Sequence, residues 1–270
     1  VKKIKTEAPA KLNVFLDVKK PAGPDGFHEI VSLTGKISLS DSLTLEKCDG
    51  ISLDMDSPWP LPRGRKNICV SAALAIRKQC PFPGVRIKLV KRIAPGQGMG
   101  GGSSDAAAVI KAIDRLWELR LTEKSKMAIA AGLGSDVPLF LMRSPFVWIR
   151  GRGEKLEPSR RKINGAVVLC FGRPLSTKKV YEHFDSLPGS SFRGADYRMP
   201  GRLVLYNALE EAAFSLRPEL EAKKKKLLEA GAGRALMTGS GSTVFGIFND
   251  PAAAKKFAAM ETSCKIVRFL

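Results

Sequence analysis

The sequence predicts an α+β protein, and three observations carry that reading. Strand-like alternation and helix-like periodicity both occur along the chain, but not in regular strand–helix–strand succession. Val85, Ile87 and Leu89 alternate with Arg86 and Lys88 as in a half-exposed strand, and a glycine-rich stretch and then a long helical pattern follow. At 270 residues, 44% hydrophobic and 26% charged, the chain is ordinary globular material for one large or two modest domains.

Taken in order, residues 9–18 alternate cleanly. Leu12, Val14, Leu16 and Val18 point one way, and Lys11, Asn13, Phe15 and Asp17 point the other. The lysine and asparagine read equally well as an ordinary exposed face or as functional groups. A turn cluster, Pro21-Ala22-Gly23-Pro24-Asp25-Gly26, leads into Phe27-His28-Glu29. A histidine beside a phenylalanine after such a turn is usually structural, but it also offers a ring to stack on a planar base and nitrogens to bond it. Residues 37–53 continue as alternating strand, 58–62 form a proline-rich loop, and 67–79 read as a helix.

The stretch around which the chain is organised is 93–108. Residues 96–102 contain five glycines, followed by Ser103, Ser104, Asp105 and an alanine run. Without Cβ atoms, backbone N–H groups can turn inward around an anion. Ser103, Ser104 or Asp105 can each cap the helix that starts here, whose free amides and positive dipole end then face the same anion. Ala106, Val109, Ile110, Ile113 and Trp117 fall at helical spacing, with Lys111, Asp114, Arg115 and Glu118 opposite. No lysine follows the glycines, so this is not the common P-loop. A dinucleotide fold would want a buried, continuously apolar strand before the loop, and that is missing. A plain turn does not require two serines and a long helix directly behind it.

A second helix is expected over 123–131, ended by Gly132. Asp136 then sits in a tight loop, either as an Asx-turn or cap or as a catalytic carboxylate. Residues 150–162 look like a link, 166–170 like a buried strand, and Ser176-Thr177 like the cap of a helix through Phe184. Residues 186–200 read as loop, and 203–216 and 218–230 as two helices. A second glycine–serine loop, 238–242, separates two apolar strands; Asp250-Pro251 opens a last helix and 265–270 closes as a strand.

Composition excludes several classes. No apolar run approaches the roughly 18 residues a membrane helix needs. Val1-Lys2-Lys3-Ile4-Lys5 leads straight into a patterned strand, so no secretory signal is visible; a transit peptide already removed stays open. Five dispersed cysteines without a C-x-x-C pair suggest reduced thiols and a cytosol-like compartment. With only His28 and His183, zinc held by His/Cys clusters is not expected. The net charge of +19 suits a nucleic-acid binder or an enzyme of polyanionic ligands, and by itself does not choose.

Three separated segments carry a resemblance. Pro9-Ala10-Lys11-Leu12-Asn13, the loop at 96–104, and Gly239-Ser240-Gly241-Ser242 resemble the three motifs of the GHMP kinases. Asp25-Gly26-Phe27-His28-Glu29, Gly98-Met99-Gly100-Gly101-Gly102-Ser103-Ser104 and Gly134-Ser135-Asp136-Val137-Pro138 are similar to the branch whose acceptor is a cytidine-diphosphate-linked sugar alcohol of the non-mevalonate isoprenoid route. The resemblance spans nearly the whole chain and keeps the motif order. It implies a domain over 1–152 like ribosomal protein S5 domain 2, carrying the ATP loop, and a ferredoxin-like domain over 153–270 that contributes to the substrate site. ATP and Mg2+ are implied, with the nucleotide on Ala94, Pro95, Gly96, Gln97, Gly98, Met99, Gly100, Gly101, Gly102, Ser103 and Ser104.

In that family pattern Asp136 would take the acceptor hydroxyl's proton, and Lys11 would favour the carboxylate and the developing oxyanion. Asn13 would lie near the sugar-alcohol chain, and His28 would hydrogen-bond the cytosine between Phe27 and Tyr181. Gly239 and Ser240 would also meet substrate, Ser103 or Ser104 would touch magnesium or phosphate, and the metal ligands stay unassigned. Phe27 stands where the family commonly has tyrosine, Ala94-Pro95-Gly96-Gln97 replaces a more usual loop opening, and the 21–24 turn is atypical. A monomer or homodimer in the cytoplasm is expected, or in a plastid stroma had a transit peptide been removed. The rivals are another GHMP kinase, acting on mevalonate, homoserine or a sugar, and a nucleic-acid binder with an S5-like domain.

Overall fold

The computed structural model describes residues 2–20, 22–23, 26–188 and 204–270. Its contacts divide into two compact units: Val1–Ala10, Leu39–Pro95 and Gly100–Arg143 in the first, and Lys11–Ser38, Gly96–Met99 and Ser144–Leu270 in the second. Two long strands, β1 (Lys3–Val18) and β2 (Ile30–Lys47), contribute residues to both.

In the first unit, β4 (Gly84–Val90) runs parallel to β3 (Gly50–Asp56) and antiparallel to residues 42–47 of β2. Val85, Ile87 and Leu89 are buried, while Arg86 and Lys88 are exposed, as the alternation predicts. Four helices accompany these strands: α1 (Ile68–Gln79), α2 (Gly101–Trp117), α3 (Glu123–Leu133) and α4 (Val137–Leu141). Asn67 caps α1 by accepting from Cys69 N–H. From Ser104 to Ile110 every residue of α2 is buried, so the two turns after its opening one are enclosed on all sides and small alanines are what fits there.

In the second unit, β5 (Phe146–Gly151) pairs antiparallel with residues 30–35 of β2 and with β6 (Lys155–Ser159), and β8 (Tyr206–Asn207) runs parallel to β1 at Phe15 and Leu16. The chain's last residues return to β2: Ser38 N–H donates to the Arg268 carbonyl and Leu270 N–H to that of Lys36. Phe269 lies 5.1 Å from Phe146, ring to ring. Gly35 makes this possible, since a Cβ there would stand 2.5 Å from Phe146 and 2.8 Å from Phe269.

A separate four-stranded antiparallel sheet has the order β11–β7–β10–β9, where β7 is Ala166–Cys170, β9 Arg234–Met237, β10 Val244–Phe248 and β11 Cys264–Val267. Helices α5 (Thr177–Ser186), α6 (Glu210–Leu216) and α7 (Pro218–Glu229) fall between β7 and β9, and α8 (Pro251–Met260) between β10 and β11. The last of the four strands thus lies beside the first, as in a ferredoxin-like arrangement. Its core joins Val168, Val244 and Phe248 of the sheet with Val180, Leu220, Leu227 and Phe257 of the helices.

Several elements differ from the sequence reading, each for a local reason. The helix behind the glycine loop starts at Gly101, with Gly100 as its cap at φ +67°, and no side chain of 103–105 caps it. A Cβ on Gly101 would lie 2.8 Å from the Ile93 side chain, so only glycine lets the first turn pack this closely. Helix α3 runs through Gly132 and ends at Gly134. The expected link at 150–162 contains the hairpin β5–β6, turned by Gly151 (φ +68°) and Gly153 (φ +113°). Where a helix was expected over 203–216, helix begins only at Glu210, because Tyr206 and Asn207 are taken up in pairing with β1. Cys170 and Cys264, 94 residues apart, are directly opposed on β7 and β11 and form a disulfide, whereas Cys48, Cys69 and Cys80 are free. The expectation of five reduced thiols fails there because strand register, not sequence spacing, brings the pair together. Pro21, Pro24, Asp25 and residues 189–200 of the expected loops lie outside the described residues.

Candidate active site

In the second unit the site grows from β1. Its alternation places Lys11 and Asn13 on one face, and both are buried at 6% exposure. The exposed-face reading therefore does not hold. Lys11 Nζ donates to Asn13 Oδ1 at 2.6 Å, and Asn13 Nδ2 donates to Ser32 Oγ (2.9 Å) and Thr34 Oγ1 (3.1 Å) on β2. Thr238 Oγ1 accepts from Asn13 N–H (2.9 Å) and donates to Asn13 Oδ1 (3.2 Å). Asn13 is thus the hub of a hydrogen-bonded group that aims the lysine's ammonium.

The glycine–serine loop 238–242 closes on that group. Gly239, at φ +58°, approaches so near that a Cβ would stand 3.4 Å from Asn13 Oδ1 and 3.6 Å from Lys11 Nζ. Ser240 Oγ is 2.8 Å from Thr177 Oγ1 at the start of α5. The loop is fastened from behind by Asn207, a residue for which the sequence offered no signal. Its buried Nδ2 donates to the carbonyls of Met237 and Gly239, both at 2.8 Å, and its Oδ1 accepts from Leu209 N–H.

Residues 96–99 belong to the same unit. Met99 O accepts from Lys11 N–H at 3.0 Å, and a Cβ on Gly98 would lie 2.5 Å from the Thr238 carbonyl. Gly96, Gly98 and Gly100 all have φ between +67° and +72°. Left-handed backbone at alternate positions is a pattern that only glycine adopts readily. The first ladder bond of α2 is Ser104 N–H to Gly100 O, so the amides of Gly101, Gly102 and Ser103 precede the ladder. Ser104 is buried, and its Oγ has no hydrogen-bond partner, whereas Ser103 is only half-buried.

His28 and Tyr181 are brought together with their ring centroids 5.0 Å apart, and His28 Nε2 lies 2.8 Å from Asp185 Oδ1. Phe27 is 61% exposed, with the Arg152 guanidinium 6.0 Å from its ring centre.

In the first unit, Asp136 is half-buried at the entrance of α4 and makes no side-chain capping bond to it. It therefore holds the cap position without a side-chain bond to the helix. The same unit holds an ionic cluster behind the glycine loop. Lys91 Nζ donates to Asp105 Oδ2 at 2.6 Å and to Asp41 Oδ2, and Asp41 Oδ1 accepts from Ile93 N–H at 2.9 Å. Burial pushes the Asp105 carboxyl up to about 7, against the pull of Lys91 and with the push of Asp41. Burial alone would lower the Lys91 ammonium, but the two carboxylates outweigh it and hold it above its ordinary range. Asp105 Oδ1 is buried without a partner. Among the described residues no group of three or more acidic, histidine or cysteine side chains is placed to hold a metal ion.

Comparison with known proteins gives these features their context. Residues 67–144 match the GHMP kinases N terminal domain, and residues 190–264 match the GHMP kinases C terminal domain. The chain belongs to the GHMP kinase family, ATP-dependent kinases of small molecules. Within the family its kinship is with proteins named 4-diphosphocytidyl-2-C-methyl-D-erythritol kinase. One, from Caldanaerobacter subterraneus subsp. tengcongensis, is 38% identical over 92% of this chain and 89% of its own length. Another, from Pelotomaculum thermopropionicum, is 39% identical over 93% and 91%. A solved structure described as 4-(cytidine 5'-diphospho)-2C-methyl-D-erythritol kinase superposes with a TM-score of 0.82 at 31% identity, covering 98% of this chain and 99% of the other. A homoserine kinase from Cytophaga hutchinsonii, at 20% identity and a TM-score of 0.76, shares the fold. The expected GHMP kinase fold, with its ferredoxin-like second half, is therefore what the chain adopts.

Proposed function

We propose that the protein transfers the γ-phosphoryl group of ATP to the 2-hydroxyl of 4-diphosphocytidyl-2-C-methyl-D-erythritol, a step of non-mevalonate isoprenoid precursor synthesis. The observation that carries this choice of acceptor is the His28–Tyr181 pair. An imidazole and a phenol ring side by side, tilted at 45°, offer aromatic surface and ring nitrogens to a planar base, and mevalonate, homoserine and a simple sugar have none to offer. Names borne by relatives at 38% and 39% identity support the same acceptor.

In this reading the loop of 94–104 holds the ATP phosphates through backbone amides and the mouth of α2. Phosphoryl transfer runs through a loose transition state, so position and charge matter more than basicity. Asp136 accepts the hydroxyl proton, and Lys11, steered by Asn13, stabilises the negative charge that develops. Asn13, Gly239 and Ser240 line the acceptor side, and Phe27 covers the base opposite Tyr181. Residues 1–152 supply the nucleotide loop, and 153–270 contribute to the acceptor site.

Magnesium is part of the proposal. It needs few protein oxygens because the phosphates supply others, and the absence of a three-acid cluster among the described residues agrees with that demand. Ser103 is the hydroxyl we assign to metal or phosphate, because Ser104 is turned into the core. Bound magnesium would supply positive charge that offsets the phosphates' negative charge. The proposed compartment is the cytoplasm; among the described residues no helix is long and apolar enough to cross a membrane.

An assay coupling ATP consumption to acceptor, with and without magnesium, tests the proposal by setting the cytidylyl substrate beside mevalonate and homoserine. Turnover confined to the cytidylyl substrate is expected, and faster turnover of either competitor overturns the assignment. Asp136→Asn is expected to lower kcat by about 10²–10⁴-fold while ATP still binds. A near-native rate removes Asp136 as the base.

A further inference from the structure

The glycine loop has one polar side chain between Gly96 and Gly98, and it does not point to solvent. Gln97 is 5% exposed. Its Nε2 donates to the Gly172 carbonyl at 2.7 Å, just beyond β7. Its Oε1 accepts two hydroxyls from the far glycine–serine loop, Ser242 Oγ at 3.0 Å and Thr243 Oγ1 at 3.1 Å, all of them buried. Both neighbours of Gln97 are glycines with φ near +70° (+68° and +72°), so the backbone on either side has no Cβ to restrain it. Gly98 meanwhile lies against the carbonyls of Thr238 and Gly241 so closely that no side chain could be added. Thr238 and Gly239 belong to the group that includes Lys11 and Asn13.

We propose that Gln97 is a positioning residue for phosphoryl transfer. Its amide fixes the register between the 96–99 backbone and the 238–243 loop, so that loop amides and the Lys11–Asn13 group stay in one arrangement through turnover. Glycines at 96 and 98 give the backbone the shape an anion needs, and they leave it soft. The three bonds of Gln97 remove that softness without placing a side chain where a phosphate would go. Holding reacting groups in register is the larger part of catalysis in a reaction with little covalent chemistry for the protein to do. The proposal rests on the kinase activity, not on the identity of the acceptor.

The test uses Gln97→Met, which keeps the length and loses all three bonds, with Thr243→Val and the double variant. Amide hydrogen exchange on the unliganded proteins comes first, because it needs no acceptor. In Gln97→Met the amides of 96–99 and of 238–243 are expected to exchange faster together, while those of β4 and α2 keep wild-type rates. In turnover with whichever acceptor the wild type phosphorylates, kcat is expected to fall by about 10- to 100-fold. Affinity for a non-hydrolysable ATP analogue is expected to fall by a smaller factor than kcat, and the double variant is no worse than Gln97→Met. Unchanged exchange at 238–243, or a native kcat in folded Gln97→Met, overturns the proposal, as does strict additivity of the two substitutions. Should Gln97→Met not fold, Thr243→Val and Ser242→Ala decide, and native exchange and kcat in both overturn it. A wild type inactive on the cytidylyl substrate would defeat the acceptor assignment alone, since the exchange measurement still reports on Gln97.

Discussion

Two buried polar clusters stand behind the two glycine loops, and they are built differently. Around the Asn13 amide the partners are three hydroxyls and one ammonium, joined donor to acceptor. Around Lys91 the partners are two carboxylates, with a carboxylate oxygen left over. A network centred on an amide and hydroxyls orients a group through neutral donors and acceptors. An ionic cluster holds charge in a poorly solvated place, and its cost depends on every partner being present. The contrast suggests orientation as the work of the first cluster and anchoring of β4 to α2 as that of the second.

The largest effect that would break this contrast is on stability. Lys91→Met leaves Asp41 and Asp105 buried without their cation, and a loss of about 3–5 kcal/mol in denaturant unfolding is expected. Asn13→Leu takes partners from three hydroxyls and one acceptor from the Lys11 ammonium but leaves no pair of like charges behind. It should cost less, about 1–3 kcal/mol, while lowering kcat strongly because the ammonium loses its guide. If the Asn13 variant proves the less stable of the two, the division into anchoring and orientation is wrong.

Titration sharpens the comparison further. The Asp105 carboxyl lies near 7 in the folded protein against 3.8 for the ordinary group. Between those values the folded protein holds a proton that the unfolded chain has released. The contribution of this group is therefore full below about pH 4 and lost as pH rises through about 7. Asp105→Asn should flatten that part of the stability profile, and Asn13→Leu should leave it unchanged. An equal slope in wild type and Asp105→Asn would mean that another group carries the pH dependence.

The smallest effect belongs to a residue outside both clusters. His28→Ala removes a buried ring that packs on Tyr181 and Phe184 and bonds Asp185, so it should cost about 1 kcal/mol. It should also raise KM for the cytidylyl acceptor while KM for ATP stays put. Equal changes in both KM values would detach His28 from base recognition.

Much of this was legible in the sequence where the signal is local. The alternation of 9–18 and 85–89, the helix at 67–79 and the glycine loop all follow from spacing over a few residues. The Lys91 cluster was not legible, since Asp41, Lys91 and Asp105 are spread over 64 positions and only the fold makes them neighbours. Asn207 escaped for the same reason, since it reads as one residue of a helix over 203–216 until its partners at 237 and 239 are known. Gln97 was read only as part of the nucleotide loop, and its ties to 172, 242 and 243 were not legible. The hairpin at 146–159 was hidden by its charges, because Arg150 and Lys155 face each other on strands that remain partly exposed.

The return of the chain's last residues to β2 has a practical corollary. Arg268 and Leu270 exchange main-chain bonds with Ser38 and Lys36, and Phe269 fills the gap that Gly35 leaves beside Phe146. Strain applied to residues 268–270 is passed to the strand that also carries Ser32 and Thr34, the hydroxyls beneath Asn13. Surface immobilisation is better made through Lys225 and Lys226 of α7, which are exposed.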